Sequence, residues 1–148
     1  MSAYHYTECG LNNVFIEGLA PVTDVDGDEV IEIPAINALH CAIAEGIVKH
    51  EKGISGDELR FLRSEMGYTQ AELATIVHVD KQTIGRWERG EFSIEGTAET
   101  VIRRLAVEKL VLPYEEGLEK LARSSVSTAE TQPINIKAQN GSYQLQAA

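Results

Sequence analysis

Apolar residues change rhythm along this chain, and each change marks a different kind of element. Up to residue 33 they come in short runs, Val14-Phe15-Ile16 and then Glu29-Val30-Ile31-Glu32-Ile33, the second with apolar and acidic positions interleaved. Both read as strands. Asp26-Gly27 lies between them and is a hairpin-turn signal. Pro34 suits the first turn of a helix. Ile36, Leu39, Ile43 and Ile47 follow at helical spacing, with Ala42 and Gly46 beside them, and this helix is expected to end near Gly53.

From residue 55 the pattern becomes a run of short helices. Ser55 with Glu58 and Thr69 with Glu72 each fit a capping box, in which a hydroxyl caps the helix and a glutamate three residues on reaches back. Gly67 ends the first of these helices. Asp80 is a good N-cap for a third, which Gly90 ends. A fourth is expected from about Thr97 to Leu110, with Ala98, Val101, Ile102, Leu105 and Ala106 on one face and Pro113 closing it. Beyond it, Ser124 to Gln132 reads as a linker. Asn140-Gly141 then predicts a hairpin that sets Ala138 against Tyr143, Ile136 against Leu145 and Ile134 against Ala147. One face of that hairpin is apolar, so it should pack on the rest of the protein or on a partner.

The expected architecture is α+β: a small α+β N-terminal region over 1–54, a helical domain over 55–112, and a helix or linker with a C-terminal hairpin over 113–148. The acidic N-terminal region is a possible partner or dimer surface. No apolar run is long enough to span a membrane, and the N-terminus lacks a signal-peptide pattern, so a cytoplasmic protein is expected. The formal charge of −10 lies mainly before residue 55, where nine acidic residues face two basic ones; residues 55–112 hold eight basic and ten acidic side chains.

The stretch from Thr69 to Gly90 carries the chemistry. Two short helices flank a turn at His78–Asp80. Leu73, Ala74 and Val77 form the inner face of the first, and Ile84 and Trp87 that of the second. Such a second helix can lie in the major groove with its N-terminal side chains at base edges. Lys81, Gln82 and Thr83 occupy that end, and Arg86 follows one turn on.

Gly67-Tyr68-Thr69-Gln70-Ala71-Glu72-Leu73-Ala74 and Ile84-Gly85-Arg86-Trp87-Glu88-Arg89-Gly90 resemble, in residue type and spacing, the Cro/CI-type (XRE) helix-turn-helix family of phage repressors and bacterial regulators. The resemblance runs from about Glu58 to Arg104 and implies a lambda-repressor-like, all-helical DNA-binding domain. It implies that Gln70 clamps a phosphate and that Lys81, Gln82 and Thr83 read bases. Lysine suits guanine O6/N7 and glutamine suits adenine N6/N7. Arg86 is left as a base reader or phosphate ligand, Arg89 as a backbone contact, Arg63 and Glu88 as a structural ion pair, and Trp87 as core. Relatives often carry Gly where His78 stands, so His78 is expected in a left-handed turn.

The start, Tyr4-His5-Tyr6-Thr7-Glu8-Cys9-Gly10-Leu11-Asn12-Asn13-Val14, resembles the MqsA (YgiT-type) antitoxins more weakly, and the Cys-x-x-Cys pairs that bind zinc in those proteins are absent. Cys9, Cys41, His5, His40 and His50 do not have zinc-ligand spacing, so no metal is expected. Asp24, Asp26 and Asp28 alternate like a calcium loop, but Glu29 and Ala35 break that pattern. No catalytic constellation or cofactor motif stands out, and a non-enzyme is expected. Two functions stay open: a dimeric repressor reading an inverted-repeat operator, and an antitoxin that binds a toxin and represses its own operon. The hairpin at 134–147 is the expected contributor to the dimer.

Overall fold

The two ends of the chain meet in one sheet. A computed structural model describes residues 3–126 and 131–146. In chain order the elements are β1 (Tyr4–His5), β2 (Val14–Glu17), β3 (Pro21–Thr23), β4 (Glu29–Ile31), α1 (Ile36–Val48), α2 (Gly56–Met66), α3 (Gln70–Val77), α4 (Lys81–Glu88), α5 (Gly96–Lys109), α6 (Leu118–Ser124), β5 (Ile134–Gln139) and β6 (Ser142–Leu145). The larger sheet has the order β1-β2-β5-β6. β2 and β5 run parallel, Val14 opposite Ile134 and Ile16 opposite Ile136. Parallel neighbours need a crossover, and here the whole helical part of the chain is that crossover.

The C-terminal hairpin has the expected register, Ala138 opposite Tyr143 and Ile136 opposite Leu145. Asn140 and Gly141 both have positive φ, as a type I′ turn requires. The expected pairing of Ile134 with Ala147 lies outside the described residues. The apolar face of this hairpin is already covered by the chain itself. Ile134 and Ile136 are buried, and α1 crosses over them at Gly46. A Cβ at position 46 would sit 2.8 Å from Ile134 Cγ2, so only glycine lets helix and hairpin approach this closely. The need to hide an apolar face therefore gives no reason for a dimer here.

Four further expectations change. Asp26-Gly27 does turn a hairpin, but it joins β3 to β4 rather than 14–16 to 29–33. Val14 and Ile16 are too well buried to belong to an exposed ribbon; they sit mid-sheet between β1 and β5. Pro34 lies before α1 rather than in its first turn, Ile36 is 43% exposed, and the helix ends at Val48, not near Gly53. Along α5, Val101 is 40% exposed while Arg103 is fully buried, so the inner face is turned from the purely apolar stripe. The segment read as a linker begins inside structure: Ser124 ends α6, and Ser124 and Ser125 are buried. Its residues 127–130 lie outside the described ones.

Arg103 explains the turned face of α5. Its guanidinium donates to the carbonyls of Val48 (3.0 Å), His50 (2.7 Å), Lys52 (2.6 Å) and Ser124 (3.2 Å), and twice to Glu99 Oε2 (3.0 and 2.8 Å). The last carbonyls of a helix have no intrahelical partner, and Arg103 supplies one at the ends of both α1 and α6. A second buried cluster lies close by in sequence. His50 Nε2 stands 2.7 Å from Glu58 Oε2, and Asn13 Nδ2 donates to the same oxygen at 3.2 Å and to Gln132 O at 2.8 Å. These bonds tie the loop before β2, the approach to β5, and the start of α2 to one point.

Candidate nucleic-acid interface

The sequence from Ser55 to Gly90 builds its helices from local signals. Both capping boxes form, Ser55 with Glu58 and Thr69 with Glu72. Gly67 closes α2 at φ 80°, and His78 closes α3 in the left-handed region at φ 61°, ψ 42°. Asp80 Oδ1 accepts from Thr83 N–H at 2.8 Å and from Thr83 Oγ1 at 2.7 Å, which starts α4. These bonds to the charged form hold the Asp80 carboxyl below its ordinary range.

The inner faces of α3 and α4 are apolar. Leu73 and Ile84 are fully buried, Ala74 is nearly so, and Trp87 is 5% exposed. A buried ion pair ties α4 to α2. Glu88, with its side chain fully buried, accepts from Arg63 Nε at 2.6 Å and Arg63 Nη2 at 3.1 Å, while Arg63 Nη1 donates to Tyr68 O at 3.0 Å. Gln70 Nε2 also donates to Glu88 Oε1, at 3.0 Å, and Arg60 Nε lies 3.6 Å away. This link joins the first residue of α3 to the last of α4, and its one signal in the sequence is the position of Gln70 as first helical residue.

The outer face of α4 presents Lys81, Gln82 and Arg86, all exposed. Thr83 is half-buried and its hydroxyl proton is committed to Asp80. Arg86 lies with its guanidinium carbon 5.9 Å from the centroid of exposed Phe92. Arg89 is exposed and pairs with the Glu91 carboxylate. Gln70 keeps one amide N–H and its backbone N–H, an unpaired donor of a first helical turn. The positively charged edge is thus Lys81, Arg86 and Arg89, carried on a helix whose other side is locked to α2 and α3.

The histidines and cysteines sit elsewhere. His40 Nε2 is 3.1 Å from Tyr6 Oη, and its Nδ1 faces the Glu65 carboxylate. Burial pushes the Tyr6 phenol up to about 12. Among the described residues no group of three or more His, Cys, Asp or Glu side chains could hold a metal ion, and no helix is long and apolar enough to cross a membrane.

Two crossing helices, a left-handed turn between them and an exposed basic-polar edge on the second define a helix-turn-helix DNA-binding protein. Residues 59–98 match the family model described as helix-turn-helix. The domain is of the Cro/CI (XRE) type, and the protein is a DNA-binding transcription regulator. No curated protein and no solved structure matches the chain. The likeness of the N-terminal stretch to MqsA-type antitoxins is not shown; the family match lies wholly beyond it.

Proposed function

We propose that the protein is a sequence-specific repressor that binds an inverted-repeat operator as a homodimer, with α4 in the major groove. One observation carries this: Lys81, Gln82 and Arg86 are exposed together on α4, whose inner residues Ile84, Trp87 and Glu88 are buried. Lys81 and Gln82 hydrogen-bond base edges, and Arg86 reaches a base or the adjoining phosphate. Thr83, its hydroxyl occupied by Asp80, contributes its methyl group, which fits a thymine methyl. Gln70 and Arg89 hold phosphates and set the register; Arg89 exchanges Glu91 for a phosphate on binding. Arg63, Glu88 and Trp87 support the reading face without touching DNA. One short helix reads too few base pairs for genomic specificity, which is the physical reason for two copies. Selection of bound duplexes from random DNA tests the proposal. An inverted repeat with half-sites about one helical turn apart is expected; recovery of no preferred sequence rejects it.

A second reading, an antitoxin that binds a toxin and represses its own operon, has an observation of its own. β3 and β4 form a separate two-stranded ribbon, exposed throughout, with Val22, Val25, Val30 and Ile31 on its surface. Asp24, Asp26, Asp28, Glu29 and Glu32 surround these side chains, and no Lys or Arg precedes Lys49 in the chain. An acidic ribbon with exposed apolar side chains suits a basic protein partner. A gene for a small basic protein beside this one, whose product binds the intact chain but not an Asp24→Ser/Asp26→Ser/Glu29→Ser variant, would support it; binding indifferent to these changes would not.

A further inference from the structure

β6 leaves one edge of the larger sheet without a strand neighbour among the described residues; on its other side lies β5. Bonded and non-bonded pairs alternate along an antiparallel ladder. Gln146 N–H donates to Asn135 O at 2.8 Å, so the pairs at 146/135, 144/137 and 142/139 are the bonded ones. Tyr143 and Leu145 therefore turn their N–H and C=O groups away from β5, and these groups find no partner among the described residues.

Sheet edges are usually defended by Lys, Glu, Pro or a bulge. Residues 138–148 contain no charged residue and no proline. The opposite edge, β1, is two residues long and too short to template a partner. Charge points to the same place. The −10 of each copy lies mainly before residue 55, so the N-terminal parts of two copies repel, whereas residues 131–148 hold no acidic side chain and one basic one, Lys137.

We propose that two copies of the chain pair antiparallel through β6, about a two-fold axis beside Gln144, to make one continuous eight-stranded sheet. An antiparallel strand pair is self-complementary, as a two-fold interface must be. Tyr143 exchanges both backbone bonds with Leu145 of the partner subunit, and Leu145 does the same with Tyr143 of the partner subunit. Gln144 then faces its own copy in a non-bonded pair, with Cα atoms about 4.5 Å apart. On the side of the sheet that faces α1, half-buried Tyr143 and Leu145 become more deeply covered. This dimer, which rests on the repressor reading for its role, forms by main-chain pairing rather than by burial of the hairpin's apolar face.

The test uses the full chain without DNA, which separates its failure from failure of the DNA-binding reading. In a Cys41→Ser background, the Gln144→Cys variant should cross-link across the axis under mild oxidation, because non-bonded antiparallel pairs suit disulfide geometry. The Gln139→Cys variant, on β5 and away from the edge, should not. Gln144→Lys sets like charges face to face and should raise the dimer dissociation constant about tenfold or more by sedimentation equilibrium. Its circular dichroism should stay that of the parent, since side chain 144 is exposed. Equal cross-linking at positions 144 and 139, unchanged association of Gln144→Lys, or a parent chain that is monomeric across the concentration series would each overturn the proposal. A β6 dimer that selects no DNA sequence would leave this inference standing and remove the repressor reading instead.

Discussion

Removing Arg103 should damage the fold more than removing any of the exposed cations of α4. The side chain is 0% exposed and its guanidinium reaches five groups: the carbonyls of Val48, His50, Lys52 and Ser124, and the Glu99 carboxylate. Arg103→Met keeps much of the apolar stem and deletes every donor. The carbonyls at the ends of α1 and α6 then lose a buried partner, at about 1–3 kcal/mol for each acceptor left unsatisfied. Burial already pushes the Glu99 carboxyl above its ordinary range, with Arg103 pulling the other way, so Glu99 would protonate rather than stay charged. Relaxation and a neutral Glu99 limit the total to about 3–5 kcal/mol, the usual cost of breaking a buried pair from one side. At roughly 2–4 °C per kcal/mol for a chain of this size, the melting temperature should fall by about 6–20 °C. Urea unfolding followed by circular dichroism and by the fluorescence of Trp87, the single tryptophan, measures this directly. The Arg103→Met/Glu99→Leu double variant should recover part of the loss, because an apolar pair can replace a buried ionic one. A loss of about 0.5 kcal/mol or less for Arg103→Met, the range of surface substitutions, would show that these buried bonds do not hold the helix ends.

Other consequences follow from single residues. Val111 has φ 52° just past the end of α5, where Leu112 N–H closes on Val107 O at 3.0 Å; a β-branched residue is strained there, and its side chain is 85% exposed. Val111→Gly should therefore stabilise by about 0.5–1 kcal/mol in the same urea assay, the relieved strain exceeding the added chain entropy. The Glu58 carboxyl is pushed up by burial, but bonds from His50, the Ser55 N–H and Asn13 outweigh this and hold it below its ordinary range. A depressed folded value means this contribution is complete above the unfolded value, about 4.3, and is lost as pH falls through the folded one. Glu58→Gln should thus differ most from the parent at neutral pH and converge on it in acid. Gln70→Ala should weaken binding to all DNA sequences alike, because phosphates carry no base identity; altered base preference at unchanged general affinity would contradict that role.

Much of the DNA-binding domain was legible because its signals are local. Ser55, Glu58, Thr69, Glu72, Gly67 and Asp80 each act within four residues, so helix ends could be read from spacing. The C-terminal hairpin was legible for the same reason, since Asn140-Gly141 fixes its register within a few positions. What escaped was long-range. Nothing near Val14 announces that it pairs with Ile134, and a β-branched run reads alike in a ribbon and in a sheet centre. The burial of Arg103 was hidden because periodicity arguments assign charged residues outward, whereas the loose carbonyls of two helix ends draw this one in. On α4, residue types mark the proposed reading face, but the commitment of the Thr83 hydroxyl to Asp80 and of Gln70 to Glu88 depends on geometry.

Whether α4 reads bases while Gln70 and Arg89 hold phosphates can be decided by one titration. Gln82→Ala and Arg89→Ala are each measured by fluorescence anisotropy on the selected duplex and on its single-base variants, over a range of salt. Gln82→Ala should lose about 1–3 kcal/mol on the preferred duplex and become indifferent at one base position. Arg89→Ala should weaken every duplex alike and flatten the salt dependence by roughly one unit of slope per protomer. Unchanged affinity and base preference for Gln82→Ala, or a shift in base preference for Arg89→Ala, would contradict these roles.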